Sequence, residues 1–219
     1  KRFVMNHAYW GEEYDDSQIN TVLKDNNIDA TYFDDPSKLM DLTVDRISSG
    51  KVAGWFHGRF EWGPRALGNR SILANPCSSE AKDIVNTKIK FREPFRPFAP
   101  SILAEKASEL VELSEPENQS PARFMLYINP VKNDKRDIIP AVTHEDGTTR
   151  LQTVHKDSNP LYHKLISKFD AATGVPALVN TSFNLKGEPI VNSPESAYDT
   201  FNRSGLDLLV MGSFVCETP

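Results

Sequence analysis

The chain has 219 residues, of which 39% are hydrophobic and 25% are charged, and this composition is typical of a globular protein and not of a disordered one. Its formal net charge of −5 argues against general binding to nucleic acid or to an anionic membrane, since both need a broad positive surface. The chain contains no apolar run of the roughly 18 residues that a membrane-spanning helix requires, and we expect a cytoplasmic protein.

The first half of the chain alternates between helix and strand patterns. Asp35-Pro36 has the sequence of a helix cap followed by a first-turn proline, and the helix that it starts is predicted to end near Gly50. A buried strand is predicted at 52–57, and it leads directly into a loop rich in Gly, Pro and Arg. The other elements predicted here are a helix capped by Ser17, a short strand at 30–33, an extended segment at 71–74 and helices at 79–90 and 104–113.

The second half of the chain begins with a stretch, residues 114–147, in which prolines interrupt any regular pattern. Only residues 124–128 are predicted to form a strand there, and we interpret the stretch as an irregular excursion from a single domain. Strands that alternate with helices predict an α/β sheet covered on both faces. The elements predicted after the excursion are an ordered segment at 149–154, a helix from Pro160 to Gly174, a strand at 177–180, a helix at 194–203 and a strand at 206–211.

Basic residues are concentrated in one part of this acidic chain. Between Arg59 and Arg96 there are eight Lys and Arg residues against four Asp and Glu residues. Most of them lie in residues 58–71 and 90–97, where Gly and Pro fix the backbone and no helical or strand periodicity is present. Guanidinium groups stay charged at any working pH, so the pattern indicates a pocket for phosphate or carboxylate. The basic candidates are Arg59, Arg65, Arg70, Lys90, Arg92 and Arg96.

The alternative interpretation of these charges is an ordinary solvated surface. Apolar residues that lie between the charges favour the pocket, because they would anchor the loops and remove water from the basic groups. These residues are Trp62, Pro64, Leu67, Phe91, Phe95 and Phe98. Several converging Arg and Lys side chains suit a polyanion such as a triphosphate.

A polar segment, Asn180-Thr181-Ser182-Phe183-Asn184, follows the buried strand predicted near residue 177. Ligands of open α/β sheets bind beyond the carboxyl ends of strands, where amide and hydroxyl side chains can hydrogen-bond ligand atoms. On position alone, an ordinary Asx or Ser turn is an equally good interpretation. The five histidines have no metal-ligand spacing, so no metal bound by side chains of this domain is expected. The chain also lacks the glycine-rich phosphate-binding sequences of P-loop and Rossmann proteins.

Three segments of the chain occur together in a known pattern. They are Gly58-Arg59-x-Glu61-x-Gly63-Pro64-Arg65-Ala66-Leu67-Gly68-x-Arg70-Ser71, then Lys90-x-Arg92-Glu93-x-x-Arg96-Pro97-x-Ala99-Pro100, then Asn180-Thr181-Ser182-Phe183-Asn184 with Gly187-Glu188-Pro189. This set resembles the C-terminal domain of the NodU/CmcH-type O-carbamoyltransferases, which include nodulation-factor, cephem and tobramycin carbamoyltransferases. The resemblance spans nearly the whole chain, although residues 114–147 match poorly.

The resemblance implies a YrdC/Sua5-like fold, an open twisted sheet with helices on both faces, that binds carbamoyl phosphate and ATP, the latter with Mg²⁺. Such a domain makes carbamoyl-adenylate and releases pyrophosphate and phosphate. A separate N-terminal Kae1-like domain, which carries the family's metal site, then transfers the carbamoyl group to an acceptor hydroxyl. We expect that domain to belong to a longer protein, of which residues 1–219 are one part.

The resemblance also assigns site residues by matching position. The substrate-binding residues are Arg65, Lys90, Arg96, Arg150, Asn180 and Ser182, and of these Lys90, Arg96 and Ser182 are the expected catalytic residues. Fixed cationic groups would neutralise the repulsion between ATP and carbamoyl phosphate, while Asn180 and Ser182 orient the carbamoyl group. Two alternatives stay open: an RNA-binding YrdC-like module, and a non-catalytic nucleotide-binding or assembly module. Strongly salt-dependent RNA affinity would favour the first, and ATP binding without pyrophosphate release would favour the second.

Overall fold

The computed structural model describes residues 4–91, 93 and 96–218, and at residue 88 it describes the backbone alone. The basic candidate Arg92 and the apolar residue Phe95 therefore lie outside the described residues. The described strands are β1 (Thr31–Tyr32), β2 (Ala53–Phe56), β3 (Arg70–Ala74), β4 (Ala99–Leu103), β5 (Asn129–Pro130), β6 (Thr148–Thr149), β7 (Gln152–Val154), β8 (Ala177–Ser182), β9 (Leu208–Met211) and β10 (Phe214–Glu217). The described α-helices are α1 (Asp16–Asp25), α2 (Pro36–Ser48), α3 (Ser79–Ile84), α4 (Ala107–Leu110), α5 (Pro160–Thr173) and α6 (Pro194–Arg203).

Eight of these strands form one mixed sheet in the order β1-β10-β9-β2-β3-β8-β4-β7. The pairs β2–β9 and β4–β7 are parallel, and the other neighbours are antiparallel. Because β8 lies between β3 and β4, the polar end of β8 is placed within the sheet. In this register Ser182 is opposite Ser71, and Asn180 is opposite Leu73 on one side and Ala99 on the other. The strands β5 and β6 form a separate antiparallel pair.

The helices pack against the sheet through their apolar faces. In α2 the buried residues follow the helical period, and Asp35 caps the helix by accepting a hydrogen bond from the backbone N–H of Ser37 (2.8 Å), as predicted. α2 contacts α5, whereas α6 contacts α1 and the strands β2 and β9. No helix in the described part of the chain is long and apolar enough to cross a membrane. The predicted α/β class, a large sheet covered by helices, is confirmed.

Some of the predicted boundaries are wrong. The cap of α1 is Asp15 and not Ser17, because the Asp15 carboxylate accepts from the Gln18 N–H (2.8 Å) and the Gln18 side chain accepts from the Asp15 N–H (3.0 Å). The helix predicted at 104–113 is instead a 3₁₀ turn followed by the short α4, which ends where Val111 becomes extended. Capping by a residue two positions earlier and an early return to extended backbone are both difficult to see in an apolar pattern.

The stretch 114–147 consists of short 3₁₀ helices, turns and the two residues of β5. The strand predicted at 124–128 is wrong, because a 3₁₀ helix occupies Ser120–Phe124 and Met125 has a left-handed backbone with φ of 56°. Strands β4 and β10 were not predicted. The strand predicted at 177–180 continues to residue 182, so Ser182 as well as Asn180 belongs to the strand and not to the loop after it.

The helix predicted at 79–90 changes its geometry along its length. After α3 the chain continues as a π-helix at Val85–Ile89, and the backbone N–H of Lys90 donates to Val85 O (2.9 Å), five residues earlier. Such π-helical turns are rare and occur often at functional sites. Here the turn places Lys90 beside the end of β8.

Two glycines of the β2–β3 loop give a test of how this loop is held. Gly68 has φ of 103°, and a Cβ atom there would lie 2.1 Å from the Tyr162 ring. Gly63 has φ of 124°, and among the described residues other than its chain neighbours no atom lies within 4 Å of such a Cβ. We expect Gly63→Ala to cost about 1–3 kcal/mol from backbone strain alone. Gly68→Ala should cost about 1–3 kcal/mol more, because the added methyl group clashes with a buried ring. Urea unfolding of both variants measures the difference, and equal losses would contradict the close packing of Gly68 on Tyr162.

Candidate functional site

The loop between β2 and β3 is folded around the carboxylate of Glu61. Glu61 is fully buried, and its Oε1 accepts hydrogen bonds from the backbone N–H groups of Leu67 (2.8 Å), Asn69 (2.8 Å) and Arg70 (3.1 Å). Burial raises the pKa of Glu61 above its ordinary value, and the N–H donors oppose that rise. This one oxygen therefore fixes the path of the loop, and with it the position of Arg65.

Arg70 has a structural position within this loop, although the sequence grouped it with the basic candidates. Its side chain is fully buried, and Nη1 donates to His57 O (2.7 Å) and Asn69 O (3.1 Å). The guanidinium carbon lies 3.7 Å from the centre of the Phe56 ring, a cation–π contact. Burial lowers the pKa of Arg70 to about 10, so the side chain stays charged near neutral pH.

A buried polar network joins the loop to β4, β7 and β8. Gln152 donates from Nε2 to Leu67 O (2.8 Å) and accepts at Oε1 from Ser101 Oγ (2.6 Å). Asn180 donates from Nδ2 to Gln152 Oε1 (3.0 Å) and Ala66 O (3.1 Å), and Ser101 Oγ lies 2.9 Å from the same nitrogen. The other end of the amide, Asn180 Oδ1, is buried and has no hydrogen-bond partner among the described residues. A buried acceptor without a partner is uncommon and requires an explanation.

A pocket of about 140 Å³ lies at the carboxyl end of β8, and four of the predicted binding residues line it: Arg65, Arg150, Asn180 and Ser182. Arg65 is exposed and Arg150 is half-buried. Burial, together with the nearby charge of Arg65, lowers the pKa of Arg150. Two guanidinium groups close enough to repel each other favour an anion between them.

A second space, of about 250 Å³, adjoins this pocket and shares Thr181 and Ser182 with it. Its lining includes Lys90, Glu93, Arg96 and Lys186. Arg96 Nε lies 2.9 Å from Glu93 Oε2, and both side chains are about half exposed. Because exposed ion pairs contribute only ~0–1 kcal/mol, an anionic ligand can compete with Glu93 for Arg96 at little cost.

Lys90 is buried, and its ammonium group binds the end of β8. Nζ lies within hydrogen-bond distance of four oxygens, which share its three protons: Asn184 Oδ1 (2.7 Å), Asn184 O (3.0 Å), Ser182 Oγ (3.3 Å) and the backbone oxygen of Ser182. Ser182 Oγ in turn donates to Asn184 Oδ1 (2.7 Å). The sequence predicted Lys90 as a phosphate ligand; the structure places its charge on the segment that carries Ser182.

The structure thus brings the six predicted site residues into two adjoining spaces. Ser182 borders both of them, while Arg59 is exposed and contributes its carbonyl oxygen to Asn69 Nδ2 (2.7 Å). Among the apolar residues between the charges, Leu67 and Phe98 are buried as expected. Trp62 and Phe91 are 73% and 53% exposed, so the expectation that they anchor the loops is wrong.

Sequence reasoning gave no role to Glu61, Gln152 or Asn184. A single Glu in a Gly-rich loop, or a single Gln in a short strand, has no spacing that distinguishes it from a surface residue. Asn184 was noted only as part of a polar segment. Within the described residues, no group of three or more His, Cys, Asp and Glu side chains is placed to hold a metal ion.

Solved structures define the class of fold to which this arrangement belongs. The crystal structure of P. abyssi Sua5 complexed with L-threonine matches with a TM-score of 0.59 at 17% identity, over 84% of this chain and 48% of that one. The crystal structure of full-length HypF in the phosphate- and nucleotide-bound form matches with a TM-score of 0.56 at 17% identity, over 84% of this chain and 22% of that one. The predicted YrdC/Sua5-like fold is therefore confirmed.

Within that fold class, the sequence determines the family. The family described as Carbamoyltransferase C-terminus matches residues 44–218, and the chain belongs to it. Nodulation protein NolO of Bradyrhizobium diazoefficiens is 45% identical over 95% of this chain and 38% of its own length. The 3'-hydroxymethylcephem-O-carbamoyltransferase of Streptomyces clavuligerus is 39% identical over 72% of this chain and 30% of its own length. The predicted resemblance is confirmed, and the chain spans less than two fifths of these relatives.

The role of Glu61 can be tested by its removal. In Glu61→Ala, three buried backbone N–H groups lose their acceptor, and because an unsatisfied buried donor costs about 1–3 kcal/mol, we expect a loss of at least about 3 kcal/mol in unfolding free energy. Glu61→Gln keeps one side-chain oxygen and is the matched control, with a smaller expected loss. Denaturant unfolding measures both. An alanine variant as stable as the glutamine variant would show that the three hydrogen bonds do not hold the loop.

Proposed function

We propose that this chain is the domain of an O-carbamoyltransferase that binds carbamoyl phosphate and ATP and forms carbamoyl-adenylate. The whole relatives are longer than this chain, so the later transfer to an acceptor hydroxyl is assigned in this proposal to the rest of the protein, an N-terminal Kae1-like domain. The observation that carries the proposal is the pocket at the end of β8, which combines two guanidinium groups with polar side chains of the strand.

The pocket fits carbamoyl phosphate in size and chemistry. Its volume of about 140 Å³ is close to that of the ~150 Å³ engineered cavity that admits benzene, so it has room for a small acyl phosphate. Arg65 and Arg150 supply fork-shaped donors that bind two phosphate oxygens at once. Asn180 and Ser182 lie at the same pocket and orient the uncharged carbamoyl end.

The adjoining space fits the phosphates of ATP, which would enter with Mg²⁺. Lys186 and Arg96 contribute positive charge to this space, and Lys90 also lines it, at the end of β8. Both spaces border Ser182. Two ligands bound there would meet at this residue, which is the arrangement that a reaction between them requires. HypF, which shares the fold, was solved in a form described as phosphate- and nucleotide-bound, and that description agrees with the proposal.

The proposed reaction balances with one water molecule. Carbamoyl phosphate, ATP and water give carbamoyl-adenylate, pyrophosphate and phosphate. Water attacks the phosphorus of carbamoyl phosphate, and the bond from that phosphorus to the carbamoyl oxygen breaks, which releases phosphate and leaves carbamate. A carbamate oxygen then bonds to the α-phosphorus of ATP as the bond from the α-phosphorus to pyrophosphate breaks. Negative charge grows on the phosphate oxygens as these bonds break. The guanidinium groups that border the two spaces would stabilise that charge, so catalysis is positioning and electrostatics.

Pyrophosphate release tests the proposal directly. With this chain we expect release that requires both ATP and carbamoyl phosphate, and no modification of an added alcohol.

Arg150→Ala should lower the affinity for carbamoyl phosphate at least about tenfold, since a charge-assisted hydrogen bond contributes about 1.5–3 kcal/mol. Arg46→Ala is the control, because Arg46 pairs with Glu217 on another part of the surface.

Calorimetry with each ligand separates the possible outcomes of this experiment. ATP binding without pyrophosphate release would indicate a nucleotide-binding module without this activity. Equal affinity of the Arg150→Ala and Arg46→Ala variants for carbamoyl phosphate would show that Arg150 does not bind this ligand. Absence of heat with either substrate, in folded protein, would contradict the proposal as a whole.

A further inference from the structure

A short segment near the start of the described chain is paired with the loop that carries Arg65. Residues 8–12, which we call the strap, run antiparallel to the first part of the β2–β3 loop. The backbone N–H of Trp62 donates to Ala8 O (2.6 Å), and that of Gly11 donates to Phe60 O (2.9 Å). The region that the family matches begins at residue 44. The strap therefore holds the loop from outside that region.

Tyr9 makes a second link, from the strap to the middle of the loop. Its hydroxyl donates to Leu67 O (2.8 Å), the same carbonyl oxygen that accepts from Gln152 Nε2 (2.8 Å). A carbonyl oxygen has two lone pairs, so both are in use. Burial raises the pKa of Tyr9 well above its ordinary value, so the phenol keeps the proton that it donates. Because Arg65 precedes Leu67 by two residues, this bond holds the backbone close to the guanidinium group.

Asn159 fixes the direction of the bond from Tyr9. Its Oδ1 accepts from the backbone N–H of Tyr162 (3.1 Å) at the start of α5, so its NH₂ group faces the strap. This NH₂ group donates to the Tyr9 oxygen (3.2 Å) and to Asn69 Oδ1 (2.8 Å). The proton of Tyr9 is then left for Leu67 O. The strap, the loop and the start of α5 are thus joined by hydrogen bonds whose donors and acceptors are all assigned.

The strap also packs behind the wall of the 140 Å³ pocket. Ala8 is buried in a small apolar cluster with Leu67, Ala99 and Met125, and the Tyr9 side chain packs against this cluster. Ala99 and Met125 themselves line the pocket. Among the described residues that line the adjoining 250 Å³ space, none belongs to the cluster. The strap therefore supports one of the two spaces and not the other.

We propose that Tyr9 is a positioning residue for ligand binding, and that the strap holds Arg65 and the pocket wall in the geometry that binds carbamoyl phosphate. The inference rests on the proposed function and extends it to a segment that does not touch the ligand. Arg65 is exposed, so its guanidinium group is preorganised only as well as the loop beneath it is held. If the strap is loosened, the ligand must order the loop when it binds, and affinity falls.

Tyr9→Phe removes the hydroxyl alone and keeps the ring in the apolar cluster. We expect carbamoyl phosphate to bind at least about threefold more weakly in calorimetric titration, and ATP to stay within about twofold, because only one space depends on the strap. In pyrophosphate release, the KM for carbamoyl phosphate should rise while kcat changes by less than about twofold. Tyr198→Phe is the matched control, since it removes the same atom from a partly buried residue of α6.

Gly11→Ala loosens the strap without removing a polar group. A Cβ atom at Gly11 would lie 2.7 Å from Phe60 Cβ, which is closer than packed atoms approach, so the strap must move away from the loop. We expect the same selective weakening of carbamoyl phosphate. Ile47→Val removes a buried methyl group from α2 and controls for a general loss of stability. Equal weakening of carbamoyl phosphate by Ile47→Val would overturn the positioning role.

Hydrogen exchange separates this inference from the proposed function, because it needs no ligand. In Tyr9→Phe the N–H groups of Asn69 and Arg70 should exchange at least about threefold faster than in the wild type, and in Tyr198→Phe they should keep their rates. Unchanged exchange in Tyr9→Phe, or equal affinity of the two variants for carbamoyl phosphate, would overturn the inference and leave the pocket in place. A wild-type chain that binds no carbamoyl phosphate would overturn the proposed function and, with it, the role of the strap in binding.

Discussion

One carboxylate oxygen in the β2–β3 loop determines much of the arrangement described above. Glu61 Oε1 accepts hydrogen bonds from three backbone N–H groups, and these bonds fix the β2–β3 loop, which has no regular secondary structure of its own. The same segment supplies Arg65 to the pocket. Its carbonyl oxygens at Ala66 and Leu67 accept hydrogen bonds from the side-chain amides of Asn180 and Gln152, respectively. The loop, the neighbouring strands and the pocket are therefore parts of one hydrogen-bonded unit, in which a change at Glu61 reaches Asn180 through a continuous set of contacts.

Burial divides the basic residues between Arg59 and Arg96 into two groups. Arg70 and Lys90 are buried and hold the protein's own backbone: Arg70 binds the loop, and Lys90 binds the end of β8. Arg65 and Arg96 are exposed and border the two spaces. Both groups consist of Arg and Lys, so the residue type does not separate a cation that organises the site from one that contacts a ligand; only burial does. Because Arg70 and Lys90 hold the backbone in place, less conformational entropy is lost when Arg65 and Arg96 bind a ligand.

The sequence predicted those parts of the fold in which local rules decide the outcome. The helices α2 and α6 begin at a cap followed by proline, and their predicted starts are confirmed. Predictions failed where tertiary contacts decide: β4 was not predicted, since a proline argues against a central strand, yet β4 pairs with β7 and β8. The site follows the same division. A basic pocket near Ser182 was predictable from composition and resemblance, whereas the roles of Glu61 and Gln152 depend on backbone groups that no sequence motif displays.

The claim central to this account is that the pocket at the end of β8 binds the phosphate of a small acyl phosphate between Arg65 and Arg150. A crystal structure of this chain soaked with carbamoyl phosphate measures that most directly. The account predicts the phosphate in contact with both guanidinium groups and the carbamoyl nitrogen next to Asn180 and Ser182. A phosphate bound elsewhere, or a carbamoyl group turned away from β8, would contradict it.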